Sequence, residues 1–325
     1  MSLQHQILTL LLLVAVSWAA MAFLMAHLRL RPPRLSDARA LSLLKRLTPE
    51  DLGIPFQSLY FVVPSQGQSG HAIRLAAWYV PHPQANGRLV VLLHGYSDAK
   101  VGAAAWLPML HSLKVNVLLL DLPAHGDSEG HVSTAGWYER YQVAEVVRQL
   151  RELHPDDVRR VVLFGISQGA AVCLATTCAA PAGSFAGVII DSPYSNVREA
   201  SVLHADLFGL PGAWLQRPAS WIIEHVWGID YDSIAPVNLL REIACPVLLI
   251  EASRDALVRQ KDAERMRDAV LAKSHQDGKS RVLGIENAPH IMGLAMAPRR
   301  YAEAVASFLS DDSSVPAKSA ERRLC

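Results

Sequence analysis

An excess of charge of either sign is missing from this 325-residue chain, in which 31 basic side chains face 30 acidic ones for a formal net charge of +1. No cluster of Lys and Arg interleaved with aromatics breaks that balance. A nucleic-acid partner is therefore not expected, because such partners select a basic face. Cysteine is scarce as well. Cys173, Cys178, Cys245 and Cys325 stand at no zinc-ligand spacing, and nothing about them demands an oxidising compartment. The acidic, histidine-bearing segment 121–130 also matches no metal-ligand set and reads as a structural loop. No metal and no cofactor are expected. Charge is absent too from residues 7–26, and the leader 1–6 before them contains no Lys or Arg.

Apolar side chains, by contrast, are plentiful. They make up 51% of the chain, against 19% charged, enough to bury one large core in a chain near the upper size of a single domain. As a helix the uncharged run 7–26 is about 30 Å long and matches the hydrocarbon core of a bilayer, so it reads as a single-pass membrane anchor. A cleavable signal peptide is the rival reading, because Ala20-Met21-Ala22 resembles a cleavage site, but the leader lacks the basic residues such a peptide carries. Arg29, Arg31, Arg34 and Arg39 follow the run and none precedes it, which places the remainder of the chain on the cytoplasmic side. Pro32-Pro33 ends the helix. Within the linker 27–56, residues 36–47 read as a short amphipathic helix with Ser36 as its cap.

Two strand-like runs at 59–63 and 72–80, separated by a polar, glycine-containing turn at 65–70, predict an antiparallel hairpin at a sheet edge. Beyond residue 88 the pattern changes. Apolar strands at 89–93, 115–120, 161–164, 187–190, 247–250 and 281–285 alternate with helical patterns at 103–112, 137–153, 168–180, 261–273 and 298–309. This alternation predicts an α/β fold with a mostly parallel sheet covered by helices on both faces, over residues 57–309. In such sheets chemistry collects at the carboxyl ends of the strands.

The residues at those ends form a pattern. Val161 to Phe164 runs into Gly165-Ile166-Ser167-Gln168-Gly169 and then into a helix of small residues, which holds Ser167 on a sharp strand-to-helix turn whose glycines let strand and helix pass closely. The amide of Gln168 faces the same pocket as the serine, and the amide of Tyr96, in His94-Gly95-Tyr96-Ser97-Asp98 after the first parallel strand, is the second candidate oxyanion donor. His94 shapes that loop. Asp255 follows the strand 247–250 and His290 follows the last strand. The order Ser167, Asp255, His290 is that of a nucleophile, acid and base set on successive strands of one sheet. Asp191, which ends the strand after the nucleophile helix, is the competing acid.

These elements, in this order and spacing, resemble the alpha/beta-hydrolase superfamily, in particular its serine-aminopeptidase-like and monoglyceride-lipase-like branch. The resemblance spans about residues 57–309 and implies a serine hydrolase without a cofactor, specifying the fold better than the substrate. One departure is that Ala124 or His125 stands where the family often has Arg.

Residues 192–238 leave the sheet pattern and concentrate Trp214, Trp221 and Trp227 among Leu, Ile, Val and Phe. They read as a helical lid whose apolar side chains suit an acyl substrate, or simply pack it onto the domain. Residues 310–325 read as a disordered tail. The functional expectation is ester hydrolysis through an acyl-enzyme, on a small-molecule ester or acyl substrate, with lipid-like esters favoured by the lid and the anchor. A peptidase or amidase, or an acyltransferase, would use the same three residues. A catalytically silent membrane-tethered scaffold is the non-enzymatic alternative.

Overall fold

Each inner strand is a continuous apolar run because it feeds two cores, one on either face of the sheet. In the computed structural model Leu89, Val91 and Leu93 belong to one core layer while Val90 and Leu92 belong to the other; Leu118 and Leu120 alternate in the same way with Val117 and Leu119. The structure describes residues 2–35, 37–45, 47–65 and 71–310. The expected Ser36 cap, most of the turn at 65–70 and the expected tail beyond residue 310 lie outside the described residues.

The elements run α1 (Leu3–Leu30), α2 (Asp37–Leu44), β1 (Gln57–Pro64), β2 (Ala72–Val80), β3 (Arg88–Leu93), α3 (Lys100–Ala103), α4 (Leu107–Ser112), β4 (Asn116–Leu120), α5 (Glu139–Leu153) and β5 (Arg160–Ile166). They continue with α6 (Gln168–Ala179), β6 (Gly187–Asp191), α7 (Val197–Leu207), α8 (Gly212–Val226), α9 (Pro236–Leu239), β7 (Val247–Ala252), α10 (Gln260–Asp277), β8 (Arg281–Ile285), α11 (Gly293–Met296) and α12 (Pro298–Ser310). The strands form one sheet in the order β1-β2-β4-β3-β5-β6-β7-β8. β1 and β2 pair antiparallel, β2 meets β4 antiparallel, and all the remaining pairs are parallel. This is the expected α/β class, with the hairpin at one edge. One core layer lies under α5, α6, α8 and α10, and the other under α4 and α12.

One expectation is corrected. The helix expected over 103–112 is broken: α3 ends at Ala103, a 3-10 turn follows over Ala104–Trp106, and α4 begins at Leu107 with Pro108 in its first turn. Proline lacks the amide that a helix interior needs and fits only at a helix start. The N-terminal helix runs to Leu30 and ends just before Pro32-Pro33. Ala26 and Leu30 are part of the domain's core layer, and Ala22 is buried as well. The helix therefore has two parts. Its first four turns expose Leu8, Leu10, Leu11, Leu12 and Leu13, while its last turns are a wall of the domain.

The expected lid region holds α7 and α8, inserted between β6 and β7. Asn196 caps α7 by accepting from the Arg198 amide at 2.8 Å. Gly212 lets α8 start directly against α7, since a Cβ there would lie 2.2 Å from the Val202 carbonyl oxygen. Each of the three tryptophans of this region has an aromatic or imidazole partner. Trp214 packs on Trp18 of α1, with ring centroids 5.7 Å apart, Trp227 packs on Phe23 of α1 at 5.6 Å, and Trp221 stacks on His225 of its own helix. An amphipathic helix packs its aromatics on whichever apolar face it meets first, and for Trp214 and Trp227 that face is α1.

Candidate active site

Ser167 stands where β5 gives way to α6, with φ +52° and ψ −114°. A side chain at such a φ is strained by about 1–3 kcal/mol and persists only when its surroundings hold it. Two backbone bonds do so: the Ser167 amide donates to the Asp191 carbonyl at 2.8 Å, and the Ala170 amide donates to the Ser167 carbonyl at 3.0 Å. The flanking glycines are required by contact. A Cβ at Gly165 would lie 2.2 Å from the Gly169 carbonyl oxygen, and one at Gly169 would lie 2.3 Å from that of Leu93. The turn thus presses α6 against the end of β3, and the loop after β3 crosses beside the serine. A Cβ at Gly95 would meet Ser167 Cβ at 3.4 Å.

His290 reaches the serine from the loop after β8, and Asp255 reaches the histidine from the loop after β7. His290 Nε2 lies 2.9 Å from Ser167 Oγ, and His290 Nδ1 lies 2.6 Å from Asp255 Oδ2. A carboxylate only accepts, so Nδ1 carries the proton and donates it to Asp255, which leaves Nε2 to accept from the Ser167 hydroxyl. Asp255 is fixed in turn by the Leu257 amide, which donates to its Oδ1 at 2.8 Å. The structure does not bring the competing acid to His290. Asp191 is 1% exposed; its Oδ2 accepts from Tyr301 Oη at 2.5 Å and its Oδ1 from Ser192 Oγ at 2.9 Å. Burial raises the Asp191 carboxyl above the usual range, and the two hydroxyls only partly offset this.

The two candidate oxyanion donors belong to the residue next to Ser167 in the chain and to the loop that passes beside it. Gln168 is the first residue of α6, where an amide has no intrahelical acceptor, and Tyr96 follows the glycine that touches Ser167. Sequence reasoning missed what holds these two residues, namely the last turn of α1. Tyr96 Oη donates to the Arg29 carbonyl at 3.1 Å. The Leu30 carbonyl accepts from the Ser133 amide at 2.8 Å, and Ser133 Oγ in turn accepts from Gln168 Nε2 at 2.8 Å. The terminal carbonyls of a helix need partners, and here those partners are Tyr96 and, through Ser133, Gln168. Nothing in the sequence signals this, because the run 7–26 reads as a membrane span by composition alone.

The loop 121–130 is structural. Lys100 Nζ lies 2.5 Å from both Asp121 Oδ2 and Asp127 Oδ2, and Ser128 Oγ donates to the Asp121 carbonyl at 2.6 Å. Arg34 binds this loop from α1's side of the domain, donating to the carbonyls of Gly126, Ser128 and Gly130 at 2.6–2.9 Å. Among the described residues no group of His, Cys, Asp and Glu is arranged to hold a metal ion.

His94 and His125 pack edge to face at 4.8 Å beneath the Tyr96 loop. His94 Nε2 accepts from the Leu122 amide at 3.0 Å and Nδ1 donates to the Gly95 carbonyl at 2.7 Å, so the ring is neutral. Burial pushes its pKa down to about 4, and that of His125 down to about 3. Unfolding returns His94 to the ordinary value of 6.5. Between that value and about 4 the unfolded chain binds a proton that the folded chain refuses, so the stability this ring contributes is complete above pH 6.5 and drains away as the pH falls. At about 1.4 kcal/mol per pKa unit, we expect about 3 kcal/mol to be lost from His94 by pH 4. Urea melts at pH 7 and pH 4.5 check this: the wild type loses stability across the window, and His94→Gln flattens the change. An equal pH slope in both proteins would contradict it.

A sheet of this order, with a strained serine after a central strand and a histidine and an aspartate at neighbouring strand ends, is the architecture of the alpha/beta hydrolases. The chain belongs to the alpha/beta hydrolase family, which it matches over residues 90–304. Among its relatives, the uncharacterized protein YqkD of Bacillus subtilis (strain 168) is 24% identical over 255 residues, which cover 77% of this chain and 79% of YqkD. Among solved structures, the Pyrococcus furiosus esterase Pf2001 superposes with a TM-score of 0.65 at 23% identity, covering 86% of this chain and 98% of Pf2001. The esterase RhEst1 from Rhodococcus sp. ECU1013 gives a TM-score of 0.52 at 18% identity, covering 79% of this chain and 98% of RhEst1. At these identities the two structures share a fold with this chain.

Proposed function

We propose that the chain is a membrane-anchored serine hydrolase of carboxylic esters, with Ser167 as nucleophile, His290 as general base and acid, Asp255 as the orienting carboxylate, and the Tyr96 and Gln168 amides as oxyanion donors. The observation that carries this is the hydrogen-bonded chain Ser167–His290–Asp255, with spacings of 2.9 and 2.6 Å, ending on a serine held in a strained turn. Such a chain activates a hydroxyl that is otherwise a poor nucleophile at neutral pH. Ser167 Oγ attacks the ester carbonyl carbon as its proton passes to His290 Nε2. The carbonyl oxygen becomes an oxyanion facing the two amides. The tetrahedral adduct collapses, the C–O bond to the alcohol breaks, and His290 returns the proton to the leaving alkoxide. Water then repeats the sequence on the acyl-enzyme, releasing the acid and restoring Ser167. Two structural neighbours are named esterases, which favours esters over the amides and acyl transfers that the same residues would serve. The intact triad spacing speaks against a silent scaffold.

The membrane reading is supported by α1. It is the one helix among the described residues that is long and apolar enough to cross a bilayer, and its exposed leucines are costly in water. Cleavage after Ala22 would sever a helix at a buried residue just before Ala26 and Leu30 enter the core, which favours retention over a signal peptide. In the α7–α8 insertion Phe208 is 82% exposed, and Trp214, which packs on Trp18 of α1, Trp221 and Val226 are exposed too. The insertion and the anchor thus present one apolar surface, fitting a substrate drawn from lipid. Arg29, Arg31, Arg34 and Arg39 after the apolar run favour a cytoplasmic domain.

A panel of p-nitrophenyl butyrate, octanoate and palmitate, set beside aminoacyl p-nitroanilides, tests the substrate class on the detergent-solubilised full chain. We expect kcat/KM for the esters to exceed that for the anilides by about 100-fold or more and to rise with chain length, as an apolar pocket gains tenfold or more per few methylenes. Faster cleavage of the anilides would transfer the assignment to a peptidase.

A further inference from the structure

His290 follows β8, whereas the serine it meets follows β5, and β6 and β7 lie between those two strands in the sheet. The loop that carries the histidine therefore crosses the ends of two strands to close a contact of 2.9 Å. It is fastened on the way at the end of β6. The Ile291 amide, next to His290 in the chain, donates to Ser192 Oγ at 3.1 Å. One residue earlier, the Asp191 carbonyl accepts from the Ser167 amide at 2.8 Å. Two consecutive residues thus hold both sides of the Ser167–His290 contact.

Ser192 is itself fixed on every side. It is 3% exposed; its amide donates to the Ile250 carbonyl of β7 at 2.9 Å, and its hydroxyl donates to Asp191 Oδ1 at 2.9 Å. A hydroxyl has one proton and accepts on its other side, so donating to Asp191 turns a lone pair of Ser192 Oγ toward the Ile291 amide. The Asp191 carboxyl is steadied by Tyr301 Oη, which accepts from Trp106 Nε1 at 2.8 Å. Donors thus run toward this carboxyl from two sides, an arrangement in which hydrogen bonds strengthen one another. Ser192 and Ile291 both have positive φ, +51° and +56°. Neither is glycine, so both ends of the hydrogen bond are strained and persist only because their surroundings hold them.

We propose that Ser192 is a positioning residue, whose hydroxyl keeps the His290 loop at its working distance from Ser167, a role that rests on the hydrolase reading of the site. The end of β6 then serves the triad without supplying its acid. Asp191→Asn keeps the backbone carbonyl that Ser167 uses and a side-chain oxygen for the Ser192 hydroxyl, so it is expected to spare turnover.

Ser192→Ala and Ser192→Gly test this together, in the detergent-solubilised full chain. Both delete the hydroxyl, and only glycine is relaxed at this φ. With p-nitrophenyl butyrate we expect kcat to fall by about 10- to 100-fold in both variants, since a catalytic group misplaced by about 1 Å costs up to about 100-fold. KM is expected to stay within about threefold of wild type, because the group lost acts on the reacting atoms' geometry and not on uniform substrate binding. Inactivation by a fluorophosphonate should slow in the same proportion as kcat, because it draws on the same Ser167–His290 contact. A side chain that served the fold alone would give another pattern. A lowered melting temperature with wild-type kcat, or turnover restored in Ser192→Gly by relief of strain, would overturn the proposal. If Ser192→Ala does not fold, Ser192→Gly carries the same comparison with wild type. Hydrogen exchange in the peptide 286–292 needs no turnover. We expect it to be at least about tenfold faster in the variants, where the Ile291 amide has lost its acceptor, and exchange equal to wild type would overturn the proposal even if kcat fell. A wild type that cleaves no ester and takes up no fluorophosphonate would instead defeat the hydrolase reading, while the exchange result would still decide whether Ser192 holds the loop.

Discussion

Ser167→Ala is expected to fold as wild type does and to lose ester turnover by about a millionfold, the loss seen when the nucleophile of such a triad is removed. The size follows from the site's geometry. Without Oγ there is no covalent intermediate, and His290 Nε2, 2.9 Å from that oxygen, has no proton to take. What remains is whatever the Tyr96 and Gln168 amides give to direct attack by water, on the order of a thousandfold above the uncatalysed rate. Steady-state hydrolysis of p-nitrophenyl butyrate, with circular dichroism to verify folding, measures it. Retention of more than about one hundredth of wild-type turnover in a folded protein would assign the chemistry to another residue.

The second large effect separates the two carboxylates. Asp255→Asn is expected to lower kcat by about ten-thousandfold, because an amide facing His290 Nδ1 stabilises the wrong tautomer and no longer balances the imidazolium that forms. Asp191→Asn is expected to leave kcat within about tenfold of wild type and to act on stability instead, by about 1–3 kcal/mol, the usual cost of disturbing a buried hydrogen-bonded polar group. The reason lies in their partners: Asp255 is 2.6 Å from the histidine, while both oxygens of Asp191 are occupied by Tyr301 and Ser192. Paired kcat and melting measurements decide between them. A larger loss of turnover in Asp191→Asn than in Asp255→Asn would reverse the assignment.

The sheet was legible because the chain repeats one physical statement, a short apolar run buried on both faces, at each parallel strand. The strand and helix around Ser167 were legible for a related reason: only glycine fits where Gly165 and Gly169 meet backbone at 2.2 and 2.3 Å. Asp255 and His290 could be picked out because each follows a recognisable strand, so the fold brings together residues separated by 35 and 123 positions. Other features had no local signal. A helix that spans a membrane and a helix that packs into a core have the same composition, so the entry of Ala26 and Leu30 into the domain could not be read from residues 7–26. For the same reason the packing of Trp214 on Trp18 and of Trp227 on Phe23 has no local signal in the sequence. The contacts of the Arg29 guanidinium with Ser220 and Tyr231, both distant in sequence, likewise had no local signal.

Locating a covalent adduct tests the central assignment most directly. After brief treatment of the full-length protein with a fluorophosphonate, peptide mass spectrometry should find a single phosphonylated residue, Ser167, with ester hydrolysis abolished in proportion to labelling. A folded, ester-cleaving protein whose adduct lies on a different serine, or which takes up none, would contradict it.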